Sequence, residues 1–567
     1  MLSKRFIRCC LLLAFLCPTT PALATETTVH GLQLHADALP YAEQVLRVPC
    51  NNTQNEITFD FSVSVYQRYC NSDLFNDTLI EFDKSYTPQP ATAETWSVAE
   101  DGVTWTFKLR AGLMWSDGTP LTAHDYVATF RFSADPNHAW DLAWYYTFID
   151  KGGIKNWDEV IAGQLPVEAL GVRAVDDLTL EIATKGVFPP FPKIMKYAYA
   201  LQKRALEEYG PYYNNDPATS VSSGPFMLAE FDPGFKVVFQ ANPHYTGYRP
   251  PRLARIEGLY MSPATYFIAY LNEEIDTVNF NDLSPADFAT IQRDPQLLTN
   301  YLRAGLIGTD YVFFDTHSKP FDNLDVRKAF AHAINREAIV KGVYGEIKAM
   351  PAHSMLMPGF PAADTTGELA DYQRFDCGLA KKHLAAAGYA SGGDFPSQVM
   401  WLRNENPGIA AVYQATAASI SQCLGINIQV SNKDNKVFMD ELDVRPTGIK
   451  LGAVAYTLDF VDPTNLLGIW ESSGRHSWRN ENFDRIMDEA SGLLDDPIRR
   501  EQLFRDAERI LVEDVGGAFI AHRWQGSLYR STVRGESIRE PGPNGTYGAH
   551  FGNDKNISTL YIAKSPQ

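Results

Sequence analysis

The chain has 567 residues, 45% of them apolar and 12% aromatic, with 50 basic against 68 acidic side chains and a net charge of −18. It is far longer than the ~250 residues at which single hydrophobic cores stop growing, so two or three domains are expected. A surface this acidic repels nucleic acid and anionic membrane, so no nucleic-acid partner is expected, while it says little about small ligands.

Residues 1–24 read as an export signal. Lys4, Arg5 and Arg8 form a positive start, Cys9 to Leu16 an apolar run, and Ala22-Leu23-Ala24 a small-residue cleavage site near Ala24. The run is too short to span a bilayer. Lipidation would need a small residue before Cys17, and Leu16 stands there. No later apolar stretch reaches membrane-spanning length, so the mature chain is read as soluble. Three of the seven cysteines fall in this leader, leaving Cys50, Cys70, Cys377 and Cys423. An even number in an exported chain reads as disulfides. Three pairings are possible; Cys50–Cys70 with Cys377–Cys423 is favoured because each joins cysteines near in sequence, and four buried thiols are the alternative. No Cys-x-x-Cys or Cys/His cluster is present, so neither a metal nor a cofactor is expected.

In chain order, Thr104-Trp105-Thr106-Phe107-Lys108-Leu109-Arg110 alternates with the period of a half-buried strand. Trp115-Ser116-Asp117-Gly118-Thr119-Pro120 is a turn. Thr122 follows as a helix N-cap with Asp125 as its acidic partner, predicting a helix from Ala123 to about Phe130. Trp140 and Trp144, with Tyr145 and Tyr146, make an aromatic cluster whose four-residue spacing is more often core than a ligand box. Two strands, 226–231 and 236–240, flank an Asp232-Pro233-Gly234 turn. Asp325 to Val343 predicts one helix with Val326, Ala329, Phe330, Ala333, Ile334 and Ile339 on its apolar face. Two more helices are predicted over 482–494 and 497–512, the second with Pro497 in its first turn. Strands and helices alternate throughout, so the fold class is layered α/β.

Several blocks together carry more than any one. Asp73-Leu74-Phe75, Pro88-Gln89-Pro90-Ala91-Thr92-Ala93-Glu94-Thr95-Trp96, the Trp115 turn with its capped helix, Ser223-Gly224-Pro225-Phe226, Asn242-Pro243-His244-Tyr245, Asp325-Val326-Arg327-Lys328-Ala329-Phe330, Ala333-Ile334-Asn335-Arg336-Glu337 and Asp459-Phe460-Val461-Asp462-Pro463 occur in this order. In that order they resemble the family-5 extracellular solute-binding proteins of ABC importers, with the strongest resemblance to the periplasmic oligopeptide-binding proteins.

The resemblance implies a periplasmic binding protein type II-like fold, with two lobes that close about a hinge and a third, flanking domain. Lobe one would comprise 25–75, 204–308 and 527–567; the flanking domain 76–203; lobe two 309–526. It implies a monomer in the periplasm that captures short peptides between its lobes and delivers them to permease subunits in the inner membrane. Peptide would be held through its backbone as an added strand.

The implied site residues follow position by position. Asp459 matches the aspartate that pairs with the peptide amine, because a buried ammonium needs an opposite charge. Asp462 is the neighbouring alternative, read as a turn residue before Pro463. Val454-Ala455-Tyr456-Thr457 matches the strand that pairs with peptide, with Tyr456 where relatives carry a tryptophan. Val63-Ser64-Val65 falls on the other backbone-pairing segment. Tyr311 matches a pocket tyrosine or is a core strand residue. Trp140 and Trp144 lie where the family folds a loop over the site. The family's basic residues for the peptide carboxylate are replaced by Ala453 and Leu442, with Arg445 and Lys450 the nearest cations. A family tryptophan appears as Asn435, and the cysteines of a family disulfide appear as Gly308 and Thr457.

Two other functions compete. The same fold binds nickel chelates, haem, glutathione, sugars and peptide antibiotics, and Asp459 favours ligands with a free amine. An exported hydrolase is the other, but there is no Gly-x-Ser-x-Gly elbow, no His-Glu-x-x-His helix and no Gly-x-x-x-x-Gly-Lys loop. No enzymatic activity is therefore expected.

Overall fold

Trp105, Phe107 and Leu109 turn inward along the Thr104–Leu109 strand while Thr104, Thr106 and Lys108 face out, and this alternation seeds a four-stranded antiparallel sheet. Ala93–Val98 pairs on one side, Thr179–Ala183 on the other, and Val172–Asp176 closes the far edge. In this computed structural model the described residues are 26–51, 56–70, 72–83, 87–147, 152–345, 347–403, 407–444, 447–539, 557 and 559–565. The export signal read at 1–24 and Arg445 lie outside them. The helix that packs on this sheet, Ala123–Ala134, starts at the expected cap: the Thr122 N–H donates to the Asp125 carboxylate at 2.9 Å. It runs four residues past Phe130, because Ser133 and Ala134 continue its buried face.

A second four-stranded sheet holds Val45–Asn51, Arg255–Met261, Lys236–Ala241 and Phe226–Asp232 in that spatial order. Its hairpin turns at Gly234, whose φ of +77° suits a residue without a Cβ. The third sheet is the largest. Thr277–Asn279, Gly517–Tyr529, Tyr301–Phe314, Leu451–Thr457, Gln398–Arg403 and Ile428–Lys433 lie side by side, and Ala349–Pro351 pairs with Gly517–Tyr529 off that path. The two longest strands, Tyr301–Phe314 and Gly517–Tyr529, run antiparallel with three breaks in register.

The single helix predicted over Asp325–Val343 is two. Leu324–His332 ends, and a new turn begins at Arg336–Ile339. The Asn335 side chain accepts from the Ala338 N–H and so caps the second helix. Arg336, wholly buried, donates to the carbonyls of Ala331 and Ile334 that would otherwise continue the first helix, and also to those of Ala352 and Phe519. The helices near the C-terminus, Glu481–Gly492 and Pro497–Glu513, agree with expectation within two residues at each end.

Both favoured disulfides are present. Cys50–Cys70 and Cys377–Cys423 each bring their Cα atoms to 5.5 Å. The first lies on the second sheet beside Gly258, where an added Cβ would meet Cys50 Sγ at 2.6 Å. The second ties the start of helix Cys377–Ala386 to helix Pro407–Leu424. Closing a loop of 46 residues removes unfolded-chain entropy, so the double substitution Cys377→Ser, Cys423→Ser is expected to cost about 4 kcal/mol. The check is denaturant unfolding of the variant against wild type; equal midpoints would show that the bridge does not stabilise the fold.

No helix among the described residues is long and apolar enough to cross a membrane, and none of them forms a cluster of three His, Cys, Asp or Glu side chains fit to hold a metal ion. His522 is buried on the long Gly517–Tyr529 strand, its Nδ1 2.9 Å from Thr309 Oγ1. Burial pushes its imidazole down to about 3, and His353 adds to this. The unfolded value is near 6.5. Between these limits the unfolded chain binds a proton that the folded chain refuses, so stability falls as pH drops through that window, by up to ~1.4 kcal/mol per pH unit. His522→Gln removes this dependence. Urea midpoints of the two proteins should therefore converge, or cross in favour of the variant, between pH 7 and pH 4.5; a constant gap would show that His522 is protonated in the fold.

Candidate functional site

A cavity of about 710 Å³ is lined from several separate stretches of the chain. Ile307, Thr457, Arg523 and Gln525, from neighbouring strands of the large sheet, line one side. Val65, Tyr66, Arg68 and Asp73 line a second, and Trp144, Tyr145, Lys196 and Tyr197 a third. Asp459 and Leu458 lie just beyond the strand end at Thr457.

Asp459 is held by the residues around it. Its Oδ2 accepts from Tyr456 Oη at 2.8 Å and from Asn465 Nδ2 at 3.0 Å, and its own N–H donates to Asn465 Oδ1 at 2.8 Å. Among the described residues no hydrogen bond reaches Oδ1. Burial pushes this carboxyl up from its ordinary value, opposed by the Asn465 and Tyr456 bonds and by the positive charges of Lys196 and Arg475. The result is an anchored, desolvated carboxylate at a cavity wall, a place where a cationic ligand group gains most.

The Leu451–Thr457 strand pairs along its whole length with Tyr301–Phe314. On its other edge, Gln398–Arg403 pairs only with Gly452 and Ala453. From Val454 to Thr457 that edge has no strand partner among the described residues. Unpaired backbone at a sheet edge is a template for an added strand. Val454 is buried, Ala455 partly so, and Thr457 is exposed on the cavity. Tyr456 does not form a cavity wall: its ring is buried and its hydroxyl holds Asp459.

The remaining expected residues divide. Val65 lines the cavity, but Val63-Ser64-Val65 forms a turn rather than a strand. The N–H groups of Val63 and Ser64 donate to the Asp60 carbonyl at 3.1 and 3.2 Å, and that of Val65 donates to the Asp141 carboxylate at 2.9 Å. Pairing with a ligand there would draw on carbonyls. Tyr311 is a core residue, 1% exposed, packed on Trp470 and bonded to His476 Nε2 at 2.8 Å. Trp140 is buried against Phe61, whose carbonyl accepts its indole N–H, while Trp144 reaches the cavity. Lys450 is exposed, one residue before the Leu451–Thr457 strand, and does not line the cavity. Gly308 and Thr457, where the resemblance places a family disulfide, are direct register partners.

Sequence reasoning missed Asn465, Lys196, Tyr197 and Arg523. None stands in a local pattern that marks it; only a helix start at Pro463 after Asp462 hints that the residues following Asp459 turn back toward it.

Residues 87–478 match the family model described as bacterial extracellular solute-binding proteins, family 5 middle. The periplasmic oligopeptide-binding protein OppA of Salmonella typhimurium is 29% identical over 483 residues, 83% of this chain and 85% of that protein. The dipeptide-binding protein DppE of Bacillus subtilis is 25% identical over 503 residues, 85% of this chain and 87% of that protein. Among solved structures, the unliganded open form of MppA, a periplasmic murein tripeptide-binding protein, superposes with a TM-score of 0.75 at 23% identity, covering 94% of this chain and 99% of that one.

Proposed function

From the chain's membership of the family-5 bacterial extracellular solute-binding proteins, we propose that it is the periplasmic binding component of an ABC importer for short peptides. The observation that carries this reading is Asp459: a half-buried carboxylate with one anchored oxygen, placed beside four residues of strand edge that have no strand partner among the described residues. The peptide amine pairs with Asp459. The peptide backbone adds to Val454-Ala455-Tyr456-Thr457, and its side chains enter the 710 Å³ cavity past Trp144 and Tyr66. Main-chain bonding gives affinity with little side-chain choice.

In this reading the lobes are 25–75 with 204–308 and 527–567, and 309–526, with 76–203 flanking. The Tyr301–Phe314 and Gly517–Tyr529 strands carry the chain between them, and closure about those strands buries the ligand. The chain is exported by a leader cleaved near Ala24, acts as a monomer and hands peptide to permease subunits. It retains its ligand unaltered.

The test is native mass spectrometry of protein purified from the periplasm, followed by denaturing release of what it carries. Masses of two- to five-residue peptides are expected. A single non-peptide mass, with peptides also failing to raise thermal stability, would assign the cavity to another solute.

A further inference from the structure

Asp462 sits three residues beyond Asp459 and binds nothing in the cavity, yet it is the most heavily engaged carboxylate in that loop. It is fully buried. Oδ1 accepts from Arg500 Nη2 at 2.7 Å and from Thr464 Oγ1 at 2.9 Å; Oδ2 accepts from Arg500 Nη1 at 2.9 Å and from Lys193 Nζ at 3.1 Å. Arg500 belongs to the same part of the chain as Asp462. Lys193 does not: it lies on the short helix Phe191–Ile194, far away in sequence and in a different sheet region. Beside this ion pair, the rings of Phe188 and Phe460, both fully buried, meet edge to face at 6.4 Å. The same 188–199 stretch supplies Lys196 and Tyr197 to the cavity wall next to Asp459. One loop thus holds two carboxylates, Asp459 on the cavity and Asp462 tied across to the segment that forms the facing wall.

We propose that the Lys193–Asp462 ion pair is a latch across the cleft, which positions Asp459 against the ligand and slows the ligand's escape. This rests on the two-lobe peptide-binding reading. Lys193 is a positioning residue: it reaches the ligand's counter-ion only through the loop. Arg500 keeps Asp462 charge-paired when the cleft opens, so breaking the latch leaves no carboxylate buried alone. Loss of the latch therefore acts on ligand release rather than on folding.

The variants are Lys193→Gln, which removes the pair, and Lys193→Arg, which retains it. Stopped-flow release of a dye-labelled tripeptide should be about fivefold to tenfold faster in Lys193→Gln, with the association rate unchanged, and restored by Lys193→Arg. X-ray scattering without peptide should give a larger radius of gyration for Lys193→Gln than for wild type. Release as slow as wild type in Lys193→Gln overturns the latch. If no tripeptide binds either protein, the peptide reading fails, and the scattering alone decides: equal radii overturn the latch.

Discussion

Asp459→Asn weakens peptide binding by about 2–5 kcal/mol, roughly 30-fold to several thousand-fold in Kd. The substitution keeps size and removes charge. In the proposed binding mode a peptide ammonium leaving water meets an anion whose position is set by Tyr456 and Asn465. In the variant the ammonium is desolvated without a counter-charge. The Asn amide also presents N–H groups toward donors that previously pointed at a carboxylate oxygen. Calorimetry with a free tripeptide and its N-acetyl form separates these effects. The acetylated peptide should bind wild type weakly and the variant equally weakly, because its amine is already gone. Equal affinity of the free peptide for both proteins would remove Asp459 from the amine site.

Asp462→Ala costs about 3–5 kcal/mol of folding stability, the range for removing one partner of a buried ion pair. Arg500 and Lys193 then remain close together, 14% and 22% exposed, without the anion between them. The loss of the helix cap on Pro463–Leu467 adds to this, since the Asp462 carboxylate accepts from the Thr464 N–H. The effect has a pH signature. Burial alone would raise the Asp462 carboxyl, but Lys193 and Arg500 hold it well below the ordinary carboxylate range. Its contribution is complete above the unfolded value near 4 and is lost as pH falls toward the folded value. Urea unfolding should show the wild type and the variant far apart at pH 7 and closer at pH 3. Lys193→Gln should cost much less, because Arg500 still neutralises Asp462. Midpoints for Asp462→Ala within ~0.5 kcal/mol of wild type, the range of an ordinary surface change, would show that the cluster stabilises nothing.

Much of the architecture was legible because it is set by contacts between near neighbours. The Thr104–Leu109 alternation, the Thr122 cap with Asp125 and the Asp232-Pro233-Gly234 hairpin each need only a few consecutive residues to form. The site was legible in part. Asp459 stood out through the order of motifs around it, but the pair that aims it, Tyr456 and Asn465, acts through side-chain bonds that no periodicity reports. Tyr456, placed where relatives carry a tryptophan, is a brace for Asp459.

Length, charge and the order of motifs determined by themselves that this is an α/β chain built like a family-5 binding protein, and made Asp459 the residue to test. Those properties are written in local composition and in short blocks that keep their meaning wherever the chain leads. Tertiary structure alone decided the rest. Arg336 broke the helix expected over 325–343 by collecting carbonyls from positions as distant as 352 and 519. Asp141 consumed the Val65 N–H from 76 residues away. Lys193 reached Asp462 across 269 residues. In each case a polar group that had to be satisfied on burial found its partner only after the chain had folded back on itself.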